Sequence, residues 1–349
     1  PYSSQFQTKI QGQAKTTALN MEKVLIISSS GMGDCLWGTP GIRALKKTFP
    51  QMEIDLVVNR AWKSLFEFNP YLNKIFAYRE QWYRQPFLGV QLLGRHYDAI
   101  FIFHANRNFK RMLPWFRSLP VWCHQNLDWI PEPHRVKIDI PVHGIERRSI
   151  MLEKLGVKPD GGQMEIFFDQ NTLDESQQIL RDHSFSPGKY VYLNLGAAVE
   201  SRRWMVDRFT ELAKRILETT SWNIVLGGGP DEKGRGLTIL DQLDTSRVME
   251  VCSQSILVNA SIISKAGLMV TSDTGPMHIG FAVRTPVVAL FGTICPIGSG
   301  PHEIPDSLCR IINFDREEVE GPDAGEFHFR SITVDKVWEQ VEKLLAENS

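Results

Sequence analysis

The feature that most constrains the fold is an alternation of short apolar runs with helical segments, which occurs in both halves of the chain. In the first half the apolar runs cover residues 24–28, 54–58, 74–78 and 98–103. In the second half they cover residues 190–195, 222–226, 267–270 and 286–291. Strands that alternate with helices at this spacing form βαβ units and a parallel sheet. The pattern therefore predicts an α/β protein with two parallel sheets.

The length of 349 residues also favours two domains over one. We predict a flexible tail over residues 1–20, a first domain over 21–185, a second over 186–330 and a C-terminal helix over 331–349. Residues 121–140 and 306–329 are expected to be largely irregular.

Composition excludes several classes of protein. The net charge of −1 argues against a general nucleic-acid binder. No apolar run approaches the roughly 18–20 residues that a membrane span needs, and residues 1–20 lack the order of a signal peptide. The five cysteines are odd in number, and none forms a C-x-x-C pair. We therefore expect neither a disulfide framework nor a structural zinc site, and a cytoplasmic protein.

The stretch at residues 271–278 joins a predicted strand to a predicted helix through Ser-Asp-Thr-Gly. A helix that begins there leaves backbone N–H groups unpaired, and these form a ready site for an anion such as phosphate. Asp273 and His278 lie at the edge of that site, where they could bind a hydroxyl or a phosphate oxygen. The alternative is a helix N-cap at Asp273 or Thr274 together with a core histidine.

A glycine turn at residues 31–34 follows the first predicted strand. It lacks the dinucleotide fingerprint G-x-G-x-x-G, because the sixth position is Leu36, and it lacks the Gly-Lys-Ser/Thr of a phosphate-binding P-loop. What remains is a tight turn that presents Asp34 at the C-terminal edge of a sheet, where α/β proteins bind ligands. The alternative role for Asp34 is a plain helix cap.

Residues 79–117 combine seven basic residues with only two acidic ones, and aromatic residues are interleaved among them. Arginine binds phosphate and aromatic side chains favour interfaces, so this segment is a candidate docking surface for an anionic, partly lipidic partner. Arg107, Lys110 and Arg111 follow a strand end and are the favoured functional subset. An ordinary solvated face with core aromatics is the alternative.

Two features of the second half suggest a ligand site. Gly196 follows a strand, and the glycines of residues 227–229 follow the next one. A glycine run after a strand lets a ligand approach the backbone closely. Glu232, just beyond, could accept hydrogen bonds from a ribose, or it could simply place a negative charge at a helix N-terminus.

Four motifs, taken in order, resemble glycosyltransferase family 9, the bacterial lipopolysaccharide heptosyltransferases. They are SGMGD with TPGIRAL (residues 30–34 and 39–45), Gly196 with RRW (202–204), GGPDE (228–232), and SDTGPMH with FGT and Pro296 (272–278, 291–293). The resemblance implies a GT-B fold, with two Rossmann-like domains that face each other across a cleft. It also implies an ADP-heptose donor on the C-terminal domain and a lipid-linked inner-core acceptor on the N-terminal domain.

By motif position, the resemblance implies roles for particular residues. Asp34 would be the general base, and Arg202 would bind the donor diphosphate. The donor would also be lined by Gly196, Glu232, Asp273, Thr274, Gly275 and His278. Gly33 would lie on the acceptor side, with Arg107, Lys110 and Arg111. The resemblance also implies transfer with inversion. No Asp-x-Asp pair is suited to a cation, so we expect a mechanism that needs no metal and no cofactor.

Other activities remain to be weighed. A family member could use another nucleotide sugar, and a sugar-nucleotide epimerase with the GT-B fold would need no acceptor surface. A catalytically inactive binding protein would not need Asp34, Arg202 and Asp273. We expect a monomer or weak oligomer in the cytoplasm, with peripheral contact at the inner face of the cytoplasmic membrane left open.

Overall fold

A computed structural model describes most of the chain. The described residues are 21–116, 119–125, 127, 130, 135–138, 141–197, 199–243, 245–292, 296–313, 329 and 331–347. The predicted tail at residues 1–20 lies outside them, as does most of the segment 306–329.

The first half of the chain forms a parallel sheet, which has five strands in the described residues. The strands are β1 (Lys23–Ser28), β2 (Glu53–Asn59), β3 (Lys74–Tyr78), β4 (Ala99–His104) and β5 (Val121–Cys123). The helices are α1 (Met32–Leu36), α2 (Thr39–Thr48), α3 (Gln85–Leu92) and α4 (Gly144–Glu153), with 3₁₀ helices at Arg60–Phe66, Trp82–Arg84 and Arg107–Phe116. The strand order is β3-β2-β1-β4-β5. The central strand β1 is apolar at nearly every position because both of its faces are covered.

The second half repeats this plan with a parallel sheet of six described strands. They are β6 (Tyr190–Asn194), β7 (Asn223–Gly227), β8 (Val248–Glu250), β9 (Leu268–Ser272), β10 (Val287–Phe291) and β11 (Cys309–Asn313). The helices are α5 (Gln170–Asp182), α6 (Val206–Thr219), α7 (Lys233–Leu240), α8 (Ile256–Ser264), α9 (Gly275–Ala282), α10 (Pro296–Ser299) and α11 (Val334–Glu347), with 3₁₀ turns at Glu200–Arg202, Pro230–Glu232, Thr245–Arg247 and Asp306–Leu308. The strand order is β11-β10-β9-β6-β7-β8.

In each sheet the first strand along the chain lies in the middle. The next strands add on one side of it and the later strands add on the other side, as in the Rossmann fold. In the first sheet β1 lies between β2 and β4, and in the second sheet β6 lies between β7 and β9. Ligands of such sheets bind outside the carboxyl ends of the strands, at the point of reversal. The turns that carry Asp34 and Asp273 lie at these two points.

Two expectations for irregular segments are wrong in part. Val121–Cys123 forms β5 on the edge of the first sheet, and Cys309–Asn313 forms β11 on the edge of the second. Each pairs with only one described strand, so a short extended run is enough to add it to the sheet.

The domains contact each other through helices. The N-terminal α1 contacts α9, and the 3₁₀ helix Arg60–Phe66 contacts α8. The helix α5 precedes the second sheet and packs on α8, where Ser176 Oγ lies 2.7 Å from Ser261 Oγ. The C-terminal α11 packs on the second sheet through Val337 and Val341, both fully buried.

Candidate active site

The turn after β1 presents the Asp34 carboxylate at the mouth of the first reversal point. Gly31 has an extended backbone, and Asp34 lies in the first turn of α1. Ser30 Oγ donates a hydrogen bond to Asp34 Oδ2 over 3.2 Å. The Asp34 side chain is 28 % exposed, so its carboxylate can reach a ligand.

Two residues that the sequence interpretation missed lie beside Asp34. His104, the last residue of β4, places its Nε2 3.8 Å from Asp34 Oδ1. Burial lowers the pKa of His104 more than the Asp34 carboxylate raises it, so the ring is neutral at neutral pH. The rule that sites lie at strand ends would have pointed to His104. Nothing in the sequence marked the second residue, Arg148.

Arg148 holds the Asp34 turn in place through hydrogen bonds to the backbone. It is fully buried, and it donates hydrogen bonds to the backbone oxygens of Asp34 over 2.9 Å and of Gly144 over 2.6 Å. Burial lowers its pKa to about 10, which still leaves a cation at neutral pH. The turn therefore rests on a buried positive charge.

The second reversal point combines a buried carboxylate with an open helix start. Asp273 is 6 % exposed, and its Oδ2 has no hydrogen-bond partner among the described residues. Burial raises its pKa to about 6, while the charge of Arg202 acts in the opposite direction. Thr274 occupies the N-cap position of α9, but its hydroxyl donates to the Ser272 backbone oxygen and caps nothing. The alternative of a side-chain N-cap at Asp273 or Thr274 is therefore not observed. Pro276 has no N–H and the Met277 N–H donates to the Thr274 backbone oxygen over 3.1 Å, so the N–H available to an anion at the start of α9 is that of Gly275.

Glu232 is held inside the second domain. Its Oε2 accepts a hydrogen bond from the Gly229 backbone, and its Oε1 accepts one from Arg203 Nη2, each over 2.9 Å. A Cβ atom added to Gly196 would lie 3.1 Å from the Glu232 carboxyl carbon, so this glycine leaves room for the carboxylate. The sequence interpretation missed Arg203 because two adjacent arginines cannot be told apart by motif position alone.

The two halves of the site touch across the domain interface. A Cβ atom added to Gly33 would lie 2.4 Å from His278 Cδ2, and one added to Gly275 would lie 2.9 Å from Met32 Cβ. Real Cβ atoms do not approach this closely, so both glycines are needed for α1 and α9 to meet. The Asp34 turn and the open N-terminus of α9 are therefore direct neighbours.

His278 is a buried residue of α9 that contacts the first domain. Burial lowers its pKa to about 3, so the ring is neutral at physiological pH. The indole Nε1 of Trp37 donates a hydrogen bond to His278 Nδ1 over 3.3 Å. An acceptor at Nδ1 leaves the ring proton on Nε2, beside Gly33. The sequence interpretation missed Trp37.

Gly33, one of the four predicted acceptor residues, lies in this contact, and the other three lie elsewhere on the first domain. Arg107, Lys110 and Arg111 are exposed on the 3₁₀ helix that follows β4. The structure brings them to the same edge of the first sheet as Asp34, since β1 and β4 are parallel neighbours. Their role in acceptor binding stays a prediction.

Within the described part of the chain, no group of three or more His, Cys, Asp or Glu side chains could hold a metal ion. Nor does any helix in that part combine the length and the apolar character needed to cross a bilayer. The cysteines of the described residues are buried and free, and Cys295 lies outside them.

Two Rossmann-type domains with their reversal points in contact have the architecture of the GT-B fold. The sequence profile of glycosyltransferase family 9 (heptosyltransferase) matches residues 122–318, which is more than half of the chain. The chain belongs to this family, and the predicted family and fold are confirmed.

Individual relatives agree with this assignment. Lipopolysaccharide heptosyltransferase 2 of Escherichia coli K12 is 24% identical over 352 residues, covering 93% of this chain and 99% of the relative. A solved glycosyltransferase family 9 protein from Veillonella parvula superposes with a TM-score of 0.80 at 19% identity, covering 93% of this chain and 98% of that one. The E. coli ADP-heptose lps heptosyltransferase II superposes with a TM-score of 0.74 at 20% identity, covering 93% and 99%. The two superpositions show that the fold is shared.

Proposed function

We propose that this enzyme transfers a heptose from ADP-heptose to an inner-core acceptor of lipopolysaccharide, with inversion at the anomeric carbon. The observation that carries the proposal is the contact between the Asp34 turn and the open N-terminus of α9. A base from one domain and an anion site from the other then lie on either side of the place where acceptor and donor would meet. Transfer from a nucleotide diphosphate requires this arrangement. The E. coli relatives, a lipopolysaccharide heptosyltransferase 2 and an ADP-heptose lps heptosyltransferase II, support the sugar and the acceptor.

Asp34 acts as the general base. Its carboxylate takes the proton of the acceptor hydroxyl, and the freed oxygen attacks the anomeric carbon of the donor. The bond from that carbon to the diphosphate oxygen breaks, and ADP leaves from the opposite face with the electron pair. The hydrogen bond from Ser30 and the buried Arg148 hold Asp34 in place for this step.

The second domain stabilises the leaving diphosphate. Negative charge develops on it as the bond breaks, and the Gly275 N–H at the start of α9 together with Arg202 opposes that charge. Thr274 and Gly275 lie where the helix begins, so their backbone is close to the anion. These donors make a metal unnecessary in the mechanism.

Other donor contacts follow from burial and position. The unpartnered Oδ2 of Asp273 can accept a hydrogen bond from a donor hydroxyl. His278 offers an Nε2–H at the interface. Gly196 and Glu232 line the adenosine side, with Glu232 near the ribose.

The acceptor approaches along the first domain. Gly33 keeps the backbone close to the acceptor sugar, and Arg107, Lys110 and Arg111 bind its phosphates. The reaction takes place on the cytoplasmic side, where a lipid-linked acceptor meets the enzyme. The second candidate is transfer of another nucleotide sugar, because the family match covers the fold and the motifs but not the sugar.

Two measurements test the proposal. Calorimetric titration with ADP, UDP, GDP and NAD, each with and without EDTA, should show a preference for ADP that EDTA does not change. Mass spectrometry should then detect a heptose added to a delipidated inner-core acceptor. Preference for UDP or GDP would indicate that the donor carries another sugar, and binding of NAD alone would overturn the proposal.

A further inference from the structure

The helix α3 has an unusual surface. It contains no charged residue, and its inward face is formed by Gln85, Leu88, Gly89 and Leu92, all buried. Its outward face is also apolar, with Phe87 74% exposed and Val90 62% exposed. A surface helix normally turns polar residues to water, so a helix that is apolar on both faces indicates a covered surface.

The exposed apolar surface continues beyond the helix. Trp82 and Tyr83 precede α3, and Leu93 follows it, and all three are more than half exposed. We call these residues, with Phe87 and Val90, the α3 surface. Tryptophan and tyrosine are the side chains that favour the boundary between lipid headgroups and acyl chains.

A groove of about 400 Å³ separates the α3 surface from the neighbouring 3₁₀ helix Arg107–Phe116. It is lined by Trp82, Gln85, Pro86, Arg111 and Met112. Arg111 therefore lines a mostly apolar groove, which suits a molecule with a phosphate next to a hydrocarbon chain.

The charges around the α3 surface are mainly positive. Arg107, Lys110 and Arg111 are exposed, and their side chains form no hydrogen bond or ion pair with any other described residue. Glu80 is the acidic residue of residues 79–117 near these cations, whereas Asp98 precedes β4 at the opposite edge of the sheet. Glu80 accepts a hydrogen bond from Asn106, and Asp98 accepts two from the backbone at residues 22 and 23.

We propose that the α3 surface inserts into the headgroup region of an anionic phospholipid bilayer. Arg107, Lys110 and Arg111 are attracted to the phosphates at that bilayer surface, which include those of the lipid-linked acceptor that the proposed function assigns to the same three residues. Apolar insertion and electrostatic attraction together are what interfacial anchoring requires. The charge pattern selects an anionic bilayer over a second copy of the chain, whose matching surface would carry the same positive charge.

The α3 surface also lies on the side of the first domain that carries Asp34. Both α3 and the 3₁₀ helix begin at the carboxyl ends of β3 and β4, the sheet edge that carries Asp34. Gln85 and Asn106 bond to the Tyr78 hydroxyl at this edge and tie the two segments together. A lipid-linked acceptor held in the same bilayer would thus present its sugars toward the base.

Sedimentation with vesicles tests this inference without any acceptor, so its outcome is independent of the proposed reaction. The full chain is mixed with phosphatidylcholine vesicles, either pure or with about a third of phosphatidylglycerol. We expect binding to the anionic vesicles that weakens with salt, and a fall of about tenfold or more in the double variant Phe87→Ser/Val90→Ser. Leu237→Ser is the matched control, because Leu237 is an exposed leucine of α7 in the other domain, and it should bind like the wild type.

Transfer assays supply the second readout. The double variant should retain wild-type activity on a delipidated acceptor and lose it on an acceptor embedded in vesicles. Absence of vesicle binding, equal binding to neutral vesicles, or unchanged binding by the double variant would each overturn the inference. A dimer seen by analytical ultracentrifugation that the double variant dissociates would overturn it too.

Discussion

The indole nitrogen of Trp37, in the C-cap of α1, donates a hydrogen bond to His278 of α9, 241 residues further along the chain. The two rings meet edge to face with their centroids 5.2 Å apart. Trp37 also contacts His143, whose ring stacks on His302 at 4.8 Å. A row of aromatic rings thus crosses from the first domain to the second beside the candidate site.

Replacing Trp37 by phenylalanine should remove the hydrogen bond that fixes the tautomer of His278. The ring contact remains, but the buried Nδ1 loses its donor, at a cost of about 1–3 kcal/mol. We expect kcat/KM to fall by about tenfold, and nitrogen NMR should show the ring proton of His278 shared between Nδ1 and Nε2. Trp338→Phe, in the C-terminal helix, is the control and should change neither kcat/KM nor the NMR signal of His278. A wild-type NMR spectrum in Trp37→Phe would show that the hydrogen bond does not set the tautomer.

A methyl group at Gly33 should separate the two domains. The Cβ of Gly33→Ala would lie 2.4 Å from His278 Cδ2, so α1 and α9 must move apart. Transfer should therefore fall by about tenfold or more. The matched control is Gly234→Ala in α7, whose Cβ meets no atom within 4 Å and which should be neutral or slightly stabilising. Full transfer activity in Gly33→Ala would contradict the close approach.

The buried carboxylate of Asp273 should cost stability above pH 6. Its pKa rises from 3.8 to about 6 on folding, so the folded state binds the proton more tightly than the unfolded state. The resulting stabilisation is complete below pH 3.8 and is lost as the pH rises through about 6. One pKa unit corresponds to about 1.4 kcal/mol, so the ionised group costs up to about 3 kcal/mol at pH 8.

Asp273→Asn removes this ionisation. Denaturant unfolding should show a free energy of unfolding about 1–3 kcal/mol above that of the wild type at pH 8, and little difference at pH 4. Donor affinity should fall at the same time, because the amide also donates where a carboxylate only accepts. A stability difference that is the same at both pH values would refute the buried carboxylate as its cause.

The central strands of both sheets could be predicted from the sequence because buried parallel strands are continuously apolar. Asp34 and Asp273 could be predicted because each lies just beyond the carboxyl end of such a strand, where the fold places its ligands. The strand β8 (Val248–Glu250) was missed, since three residues carry too little pattern.

The helix α3 was missed for a different reason. Its sequence is apolar on both faces, so it lacks the contrast between faces that marks a surface helix. The contacts between Gly33 and His278 and between Trp37 and His278 were also out of reach. They depend on how the two domains dock, and no local pattern encodes that.

The most direct test of the account is a comparison of Asp34→Asn with the wild type in donor binding and in transfer. Asparagine keeps the size of the side chain and an acceptor for Ser30, and Arg148 bonds only to the backbone of residue 34. Calorimetry should give an unchanged affinity for ADP, while heptose transfer falls by roughly 10²-fold or more. An equal loss of ADP binding, or transfer near the wild-type rate, would show that Asp34 is not the general base.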